Sequence, residues 1–238
     1  MPPKPLAIFQ MGKPPADIRQ VHQEQSDWIL AALGELQRPV AVYNVEEQPP
    51  PLPSSIAAAV ITGSWSMVTE REPWSERIGA WIRLAMALEL PLLGICYGHQ
   101  LMADALGGVV DYHPDGREIG QRLVCLNADA AEDPLLARAA SRFPAYLTHE
   151  QSVLLPPAGA TVLGGTDHDP HQIIRYSPTA LSVQFHPEFT PALMKACLLR
   201  RRTLFIEEGF DLERLCLELG PTPEATGILR RFVEQIGE

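Results

Sequence analysis

Residues 91–108 read PLLGICYGHQLMADALGG, and they contain the clearest signal for the fold. The apolar run at 91–95 predicts a buried strand, and residues 97–106 predict a helix that begins directly after it. Cys96 stands at the corner between the two elements, with a glycine two residues away on each side. This G-x-C-x-G pattern is the cysteine form of a nucleophile elbow, in which small residues let the strand and the helix approach closely.

The corner would give Cys96 the surroundings of a reactive cysteine. At a helix N-terminus the free backbone N–H groups and the helix dipole stabilise negative charge on sulfur. The N–H of Tyr97 would point toward an oxyanion formed on a bound substrate. The competing interpretation is a structural cysteine buried at a tight turn, but the carboxyl end of a parallel strand is where α/β proteins place their sites.

Strands and helices alternate before the elbow, and short strands follow it. Further strands are predicted at 5–12, 39–45 and 57–62, and helices at 17–37 and 73–90. After Gly108 come the short apolar segments VVDY, EIGQRLVCL, AYLTHE, ATVLGG, HQIIRY and ALSVQF. The alternation predicts an α/β fold with a twisted, mostly parallel central sheet and helices on both faces, a flavodoxin-like open sandwich with an antiparallel extension. We expect one domain over 1–238, with a core at about 5–190 and a helical C-terminal segment at 190–238.

Composition excludes several classes of protein. The net charge is −10, so nucleic acid is not the expected partner. No apolar run approaches the roughly 18 residues of a membrane span, and the N-terminus has no signal-peptide pattern. We therefore expect a cytoplasmic protein without a membrane partner.

The remaining cysteines and the one basic cluster are interpreted as structural and surface residues without a role in the chemistry. Cys125, Cys197 and Cys216 lie in apolar periodic segments and are interpreted as small core residues. The cluster Arg200-Arg201-Arg202 is interpreted as a solvated helix face. No cysteine pair has metal-ligand spacing, so no metal is expected.

A second motif supplies a base for the cysteine. The segment QFHPEF at 184–189 ends an apolar strand, which would place His186 at a strand terminus. His186 and Glu188 are two residues apart, so an extended backbone would turn both side chains to one side, with Pro187 holding them rigid. Glu188 could then orient the imidazole toward Cys96. On its own, a His-x-Glu pair is better explained as a surface ion pair, and it becomes a triad candidate only together with the elbow.

A third segment could complete an oxyanion site. Ile61-Thr62-Gly63-Ser64-Trp65-Ser66 ends the predicted third strand. The small residues Gly63 and Ser64 could aim a backbone N–H at the oxyanion, together with Tyr97. The plain alternative is an ordinary turn between a strand and a helix.

Together these motifs resemble the class I glutamine amidotransferases, a family with a Cys-His-Glu triad. The family elbow G-x-C-x-G-x-Q matches GICYGHQ at 94–100, and its H-P-E motif matches 186–188. The segments GREIG at 116–120 and LTHE at 147–150 are most similar to stand-alone relatives of the GMP synthase glutaminase domain. The resemblance covers roughly residues 5–190.

The resemblance implies the chemistry and the binding residues. Cys96, His186 and Glu188 would hydrolyse the amide of glutamine through a γ-glutamyl thioester, with no metal and no organic cofactor. Gln100, Thr148 and His149 would bind the amino-acid end of the substrate. The chain contains no glycine-rich ATP loop, so ammonia would pass to a partner synthetase subunit or to solvent.

Trp65 departs from the family pattern and leaves alternatives open. The family loop usually has paired glycines and a proline, whereas this chain has Thr62-Gly63-Ser64-Trp65. A bulky wall at the pocket mouth would suit a γ-glutamyl peptidase acting on glutathione-like compounds; otherwise Trp65 packs against the helix at 73–90. A non-catalytic regulatory relative is disfavoured by the intact triad motifs, and a DJ-1-like enzyme by the H-P-E motif.

Overall fold

A computed structural model describes residues 3–236, which contain eleven strands and eight α-helices. The strands are β1 (Leu6–Gln10), β2 (Val40–Asn44), β3 (Ala58–Ile61), β4 (Leu92–Ile95), β5 (Val109–Tyr112), β6 (Glu118–Leu126), β7 (Arg142–His149), β8 (Gln151–Leu155), β9 (Thr161–Gly165), β10 (Ile173–Ser177) and β11 (Ala180–Val183). The helices are α1 (Ala16–His22), α2 (Gln25–Leu33), α3 (Pro73–Ala87), α4 (Tyr97–Ala105), α5 (Pro191–Arg200), α6 (Arg202–Glu207), α7 (Leu212–Leu217) and α8 (Pro223–Gln235).

Nine strands form one sheet in the order β2-β1-β3-β4-β11-β10-β9-β6-β7. The pairs from β2 to β11 are parallel, and the pairs from β11 to β7 are antiparallel. Strands β5 and β8 form a separate antiparallel pair. The predicted parallel core with an antiparallel extension is therefore confirmed.

The strands bury both of their faces. In β1, Leu6 and Ile8 belong to a core shared with α2 and α8, whereas Ala7 and Phe9 belong to a core shared with α3 and α4. This alternation follows from the two-residue period of a strand. It places helices on both faces of the sheet, as predicted.

The helix predicted at 17–37 is wrong in its extent. The chain forms α1 and α2, and Gln23 between them has φ 68°, which ends α1. The backbone N–H of Glu24 donates to Asp27 Oδ2 at 2.9 Å in a capping box that begins α2. Apolar periodicity continues through both helices because both pack on the protein, so periodicity alone did not reveal the break.

The C-terminal helix α8 contributes to the hydrophobic core. Ala225, Ile228, Leu229 and Phe232 of α8 lie in the same hydrophobic cluster as β1, β4 and β11. The hydrophobic core therefore extends beyond residue 190. Among residues 3–236, none of the helices is both long and apolar enough to cross a membrane.

Candidate active site

Cys96 lies in the turn between β4 and α4, with φ 51° and ψ −101°. A side chain other than glycine rarely adopts a positive φ, and such strain often marks functional turns. A Cβ on Gly98 would lie 2.3 Å from the carbonyl oxygen of Ile61, and a Cβ on Gly94 would lie 2.6 Å from that of Gly98. Both glycines are therefore required for the close approach of strand and helix that the motif predicted.

His186 and Glu188 follow β11, whose last residue is Val183, so neither residue belongs to the strand. His186 Nδ1 lies 2.8 Å from Glu188 Oε1, and both side chains are buried. The backbone N–H of His186 donates to the carbonyl of Tyr146 at 2.9 Å, and the hydroxyl of Thr226 donates to that of Pro187 at 2.8 Å. The pair therefore lies in an irregular segment that is held by β7 and α8, whereas the sequence placed it at the strand terminus.

The electrostatics of His186 favour its charged form. Burial by itself lowers the pKa of His186, but the Glu188 carboxylate and the electrostatic and hydrogen-bond interactions with Cys96 raise that pKa to about 10. The imidazole also stacks on Phe189, with ring centroids 4.0 Å apart. A charged, oriented imidazolium beside a cysteine is the arrangement that nucleophilic cysteine chemistry requires.

The turn after β3 lies against the side chains of Cys96 and His186. A Cβ on Gly63 would lie 2.9 Å from Cε1 of His186 and 3.6 Å from Cβ of Cys96. Thr62, which is buried, anchors the turn: its hydroxyl accepts from the backbone N–H of Met11 at 3.0 Å. Its carbonyl accepts from the N–H of Gly98 at 3.1 Å. Turn and elbow are thus linked by a backbone hydrogen bond.

One pocket gathers nearly all the residues that the sequence singled out. It is lined by Ser64, Trp65, Cys96, Tyr97, Gln100, Thr148, His149, His186 and Glu188. Gly63 lies behind it, against Cys96 and His186. Within residues 3–236, no three His, Cys, Asp or Glu side chains are grouped so that they could hold a metal ion.

The side chains of Gln100 and His149 are occupied within the protein. Gln100 Nε2 donates to the carbonyl of Gln151 at 2.6 Å and to Gln184 Oε1 at 3.0 Å. His149 Nδ1 lies 3.0 Å from the carbonyl of Gln151, and Nε2 lies 3.1 Å from Glu118 Oε2. These contacts hold β6, β8 and α4 around the pocket, so a role of either residue in binding substrate stays a prediction that would depend on its other atoms.

Trp65 belongs to an aromatic wall. Its ring lies 6.1 Å from that of Trp28 in α2, and Trp28 lies 5.6 Å from Phe189. Both tryptophans line the pocket. The wall therefore joins the turn after β3 to the residue that stacks on His186. The ring partner of Trp65 lies in α2, whereas the alternative from the sequence had Trp65 packing against the helix at 73–90.

The interpretation of the arginine cluster as a solvated helix face is wrong for Arg201, which is half-buried. Arg200 and Arg201 line the pocket and Arg202 does not, although Arg200 and Arg202 are both exposed. Helix α5 ends at Arg200 and α6 begins at Arg202, so the chain turns at Arg201 beside the pocket. A run of three like charges carries no signal for such a turn, because direction depends on where the helix is docked.

The sequence did not predict that several other residues would line the pocket. Cys197 lines the pocket although it was interpreted as a core residue, and burial raises the pKa of its thiol to about 12. The other two cysteines, Cys125 and Cys216, are partly buried. Gln25 and Arg117 line the pocket as well. Only the GREIG segment could have drawn attention to Arg117, and nothing in the sequence pointed to Gln25.

Comparison with known proteins yields consistent matches. Residues 20–204 match the sequence model of the family described as glutamine amidotransferase class-I. A GMP synthase (glutamine-hydrolyzing) of Thermosipho africanus is 32% identical over 135 residues, which are 56% of this chain and 24% of that protein. The chain thus matches about a quarter of the length of that relative.

Two further matches extend along most of the chain. A glutamine amidotransferase-like protein of Schizosaccharomyces pombe is 24% identical over 220 residues, covering 85% of this chain and 87% of that protein. The crystal structure of a glutamine amidotransferase from Thermotoga maritima superposes with a TM-score of 0.74 at 20% identity, covering 97% of this chain and 96% of that one. The structural match supports the fold.

Proposed function

Since this chain belongs to the glutamine amidotransferase class-I family, we propose that it hydrolyses the side-chain amide of glutamine with Cys96 as nucleophile. The observation that carries the proposal is the meeting of three elements at one point. Cys96 at the elbow, the hydrogen-bonded pair His186–Glu188 and the turn at Gly63 all adjoin one another at a common pocket. Nucleophile, base and orienting carboxylate are the parts that a covalent amide hydrolase needs.

In the first step the thiolate of Cys96 attacks the carbonyl carbon of the γ-carboxamide. The resulting oxyanion accepts hydrogen bonds from the N–H of Tyr97 and from the turn at Gly63 and Ser64. The imidazolium of His186 transfers its proton to the amide nitrogen, the C–N bond breaks and ammonia leaves. The product is a γ-glutamyl thioester on Cys96 and a neutral His186.

In the second step water cleaves the thioester. Neutral His186 takes a proton from the water as it attacks, and a second oxyanion forms in the same place. Collapse of this intermediate breaks the C–S bond, releases glutamate and restores the thiolate–imidazolium pair. Glu188 keeps the ring oriented and stabilises its charge in both steps.

The relatives support a synthetase as one destination for the ammonia. GMP synthases are named among them, and this chain matches only a part of such a protein. We propose that the chain acts as a single glutaminase unit over residues 1–238, which delivers ammonia to a partner synthetase or releases it to solvent.

A second candidate is the hydrolysis of γ-glutamyl peptides. The aromatic wall of Trp28 and Trp65 lines the pocket and favours this activity, because apolar surface there suits a leaving group larger than ammonia. The chemistry at Cys96 would be unchanged, with a peptide amine leaving in place of ammonia.

The test combines turnover with labelling. The purified chain is incubated with glutamine and with γ-glutamyl peptides, and glutamate release is measured for each. A glutamine-analogue diazoketone should add a single mass increment at Cys96, since the thiolate displaces its leaving group. Release from neither substrate would refute both candidates and favour a non-catalytic relative, and labelling at Cys125, Cys197 or Cys216 would place the nucleophile elsewhere.

A further inference from the structure

Three arginines line the pocket of a protein whose net charge is negative. Arg117, Arg200 and Arg201 all line it, although the chain as a whole carries a net charge of −10. The carboxylates among the lining residues are those of Glu150 and Glu188, and Glu188 is paired with His186. An acidic protein that gathers cations around one pocket creates a local attraction for anions.

Two of these arginines are neutralised by the protein itself. Arg200 Nε lies 2.9 Å from Asp17 Oδ1 of α1. Arg117 bridges two carboxylates, with Nη2 3.0 Å from Glu150 Oε2 and Nε 2.6 Å from Glu208 Oε2. The Arg117 guanidinium also lies over the ring of Phe205 at 5.5 Å. Both residues therefore have structural partners.

Arg201 has no such partner. It is half-buried, and its guanidinium makes no hydrogen bond or ion pair with any residue within 3–236, although its backbone carbonyl accepts from the N–H of Phe205 at 3.0 Å. Burial and the neighbouring Arg117 lower the pKa of Arg201, with only the charge of Glu150 opposing them strongly. A guanidinium remains charged in proteins, so a partly desolvated cation that forms no direct ion pair with any residue of 3–236 lines the pocket.

We propose that Arg201 binds a carboxylate of the substrate, and so selects γ-glutamyl compounds that carry an anionic group. The proposal rests on the function proposed above. The planar guanidinium matches a carboxylate through two parallel hydrogen bonds, and the bound anion would supply the missing counter-ion. The carboxylate has two possible sources, which share this chemistry: the α-carboxylate of the glutamyl group, or a carboxylate on the leaving amine.

The position of Arg201 explains why the pocket can use it. Arg201 is the residue between α5 and α6, and Arg117, which lines the same pocket, is held between Glu150 and Glu208. Glu150 and Glu208 are paired with Arg117, and within residues 3–236 neither forms an ion pair with Arg201, so the Arg201 guanidinium is available to a ligand. Arg202, the next residue, lies outside the pocket lining and is exposed, which makes it a matched control.

The experiment compares Arg201→Gln and Arg202→Gln on four substrates. Glutamine and γ-glutamylmethylamide carry only the α-carboxylate, γ-glutamylglycine carries one at each end, and glutaminamide carries none. Arg201→Gln should lower kcat/KM about 10- to 100-fold, mainly through KM, for substrates whose carboxylate it binds. Arg202→Gln should change kcat/KM less than about twofold on every substrate.

The pattern of loss identifies the source of the carboxylate. Loss on glutamine, γ-glutamylmethylamide and γ-glutamylglycine, with glutaminamide unaffected, assigns the α-carboxylate. Loss on γ-glutamylglycine alone assigns the leaving group. An equal loss on all four substrates, or no loss on any, overturns the proposal. Arg201→Lys, which keeps the charge, should restore part of the lost affinity.

Binding to an inactive protein separates this proposal from the proposed function. In the Cys96→Ala background, the Kd of glutamate and of γ-glutamylglycine is measured by calorimetry with and without Arg201→Gln. An increase in Kd of at least about tenfold for either ligand supports the carboxylate site even if the wild-type chain turns over no substrate. An unchanged Kd, or no binding of either ligand, overturns it even if wild-type turnover is high.

Discussion

The two sides of the candidate pocket are built in different ways. On the elbow side, Cys96, His186 and Glu188 are each 5–6% exposed, and the backbone N–H of Cys96 donates to Val183 of the neighbouring strand at 2.9 Å. On the helical side, the Arg200 side chain is 37% exposed and depends on an ion pair with Asp17, whose side chain is 60% exposed. Backbone bonds position the elbow, whereas long side chains position the helical side.

The difference assigns separate tasks to the two sides. Bond-making groups must be held within a fraction of an ångström, which buried backbone contacts achieve. Groups that recognise the outer part of a substrate can be partly solvated and adjustable. Residues on the elbow side should therefore control kcat, and residues on the helical side should control KM and substrate choice. Five measurements test this division between the two sides.

The largest effect should come from exchanging one cysteine on each side of the pocket. Cys96→Ala should lower kcat about 10⁴-fold or more, because the nucleophile is lost while alanine fits the same turn. Cys197→Ala should change kcat less than about threefold, since burial raises the pKa of the Cys197 thiol to about 12 and keeps it protonated. Glutamate release and circular dichroism measure both. A Cys96→Ala variant that keeps more than a few per cent of activity would show that the nucleophile lies elsewhere.

The next largest effect concerns the base and its orienting carboxylate. His186→Asn should lower kcat about as much as Cys96→Ala, because proton transfer fails in both steps. Glu188→Gln should cost about ten- to a hundredfold less, since it mainly orients the ring. Steady-state kinetics on glutamine compare the two variants directly. Equal losses would mean that Glu188 does more than hold the imidazole.

Gly63→Ala should lower kcat about 10²-fold with little effect on folding. The new Cβ would lie 2.9 Å from Cε1 of His186, so the ring must move away from Cys96. Gly79→Ala in α3 is the matched control, since its Cβ would meet ordinary contacts at 3.7 Å or more. Kinetics and melting temperatures are compared for both variants. Wild-type kcat in Gly63→Ala would show that the turn and His186 are not coupled.

A smaller effect is expected at the aromatic wall. Trp65→Ala should lower kcat/KM for γ-glutamyl peptides up to about tenfold more than for glutamine, because an apolar wall contributes about 1–2 kcal/mol to a large leaving group. The ratio of the two kcat/KM values is the readout. Equal losses on both substrates, with a lower melting temperature, would instead mean that Trp65 only stabilises the turn after β3.

The smallest effect is on stability as a function of pH. Because Glu188 and Cys96 raise the pKa of His186 to about 10, this group stabilises the folded protein fully below about pH 6.5. That stabilisation is lost as pH rises toward 10. The melting temperature of Glu188→Gln should therefore fall about 2–4 °C less than that of the wild type between pH 7 and pH 10. Parallel curves for the two proteins would contradict the shift.

Local sequence was sufficient for the parallel half of the fold. The strands that became β1, β3 and β4 are short apolar runs bounded by turn residues, and each was placed within about two residues. The break at Gln23 and the strand β8 were missed, because a positive φ and an edge pairing leave no mark on apolar periodicity. The roles of the triad and of the residues expected to bind substrate stay predictions, although the structure brings them to one pocket.

By itself the sequence determined the elbow, since the glycines on either side of Cys96 admit only a tight turn from strand to helix. It also determined the H-P-E segment as a partner in the same region, because the carboxyl ends of parallel strands meet at one edge of a sheet. The side chains of α5 and of the following turn that face that edge depend on the tertiary structure. Arg201 and Cys197 are directed into the pocket by the docking of helices far from the elbow in sequence, and docking depends on the packing of the whole core.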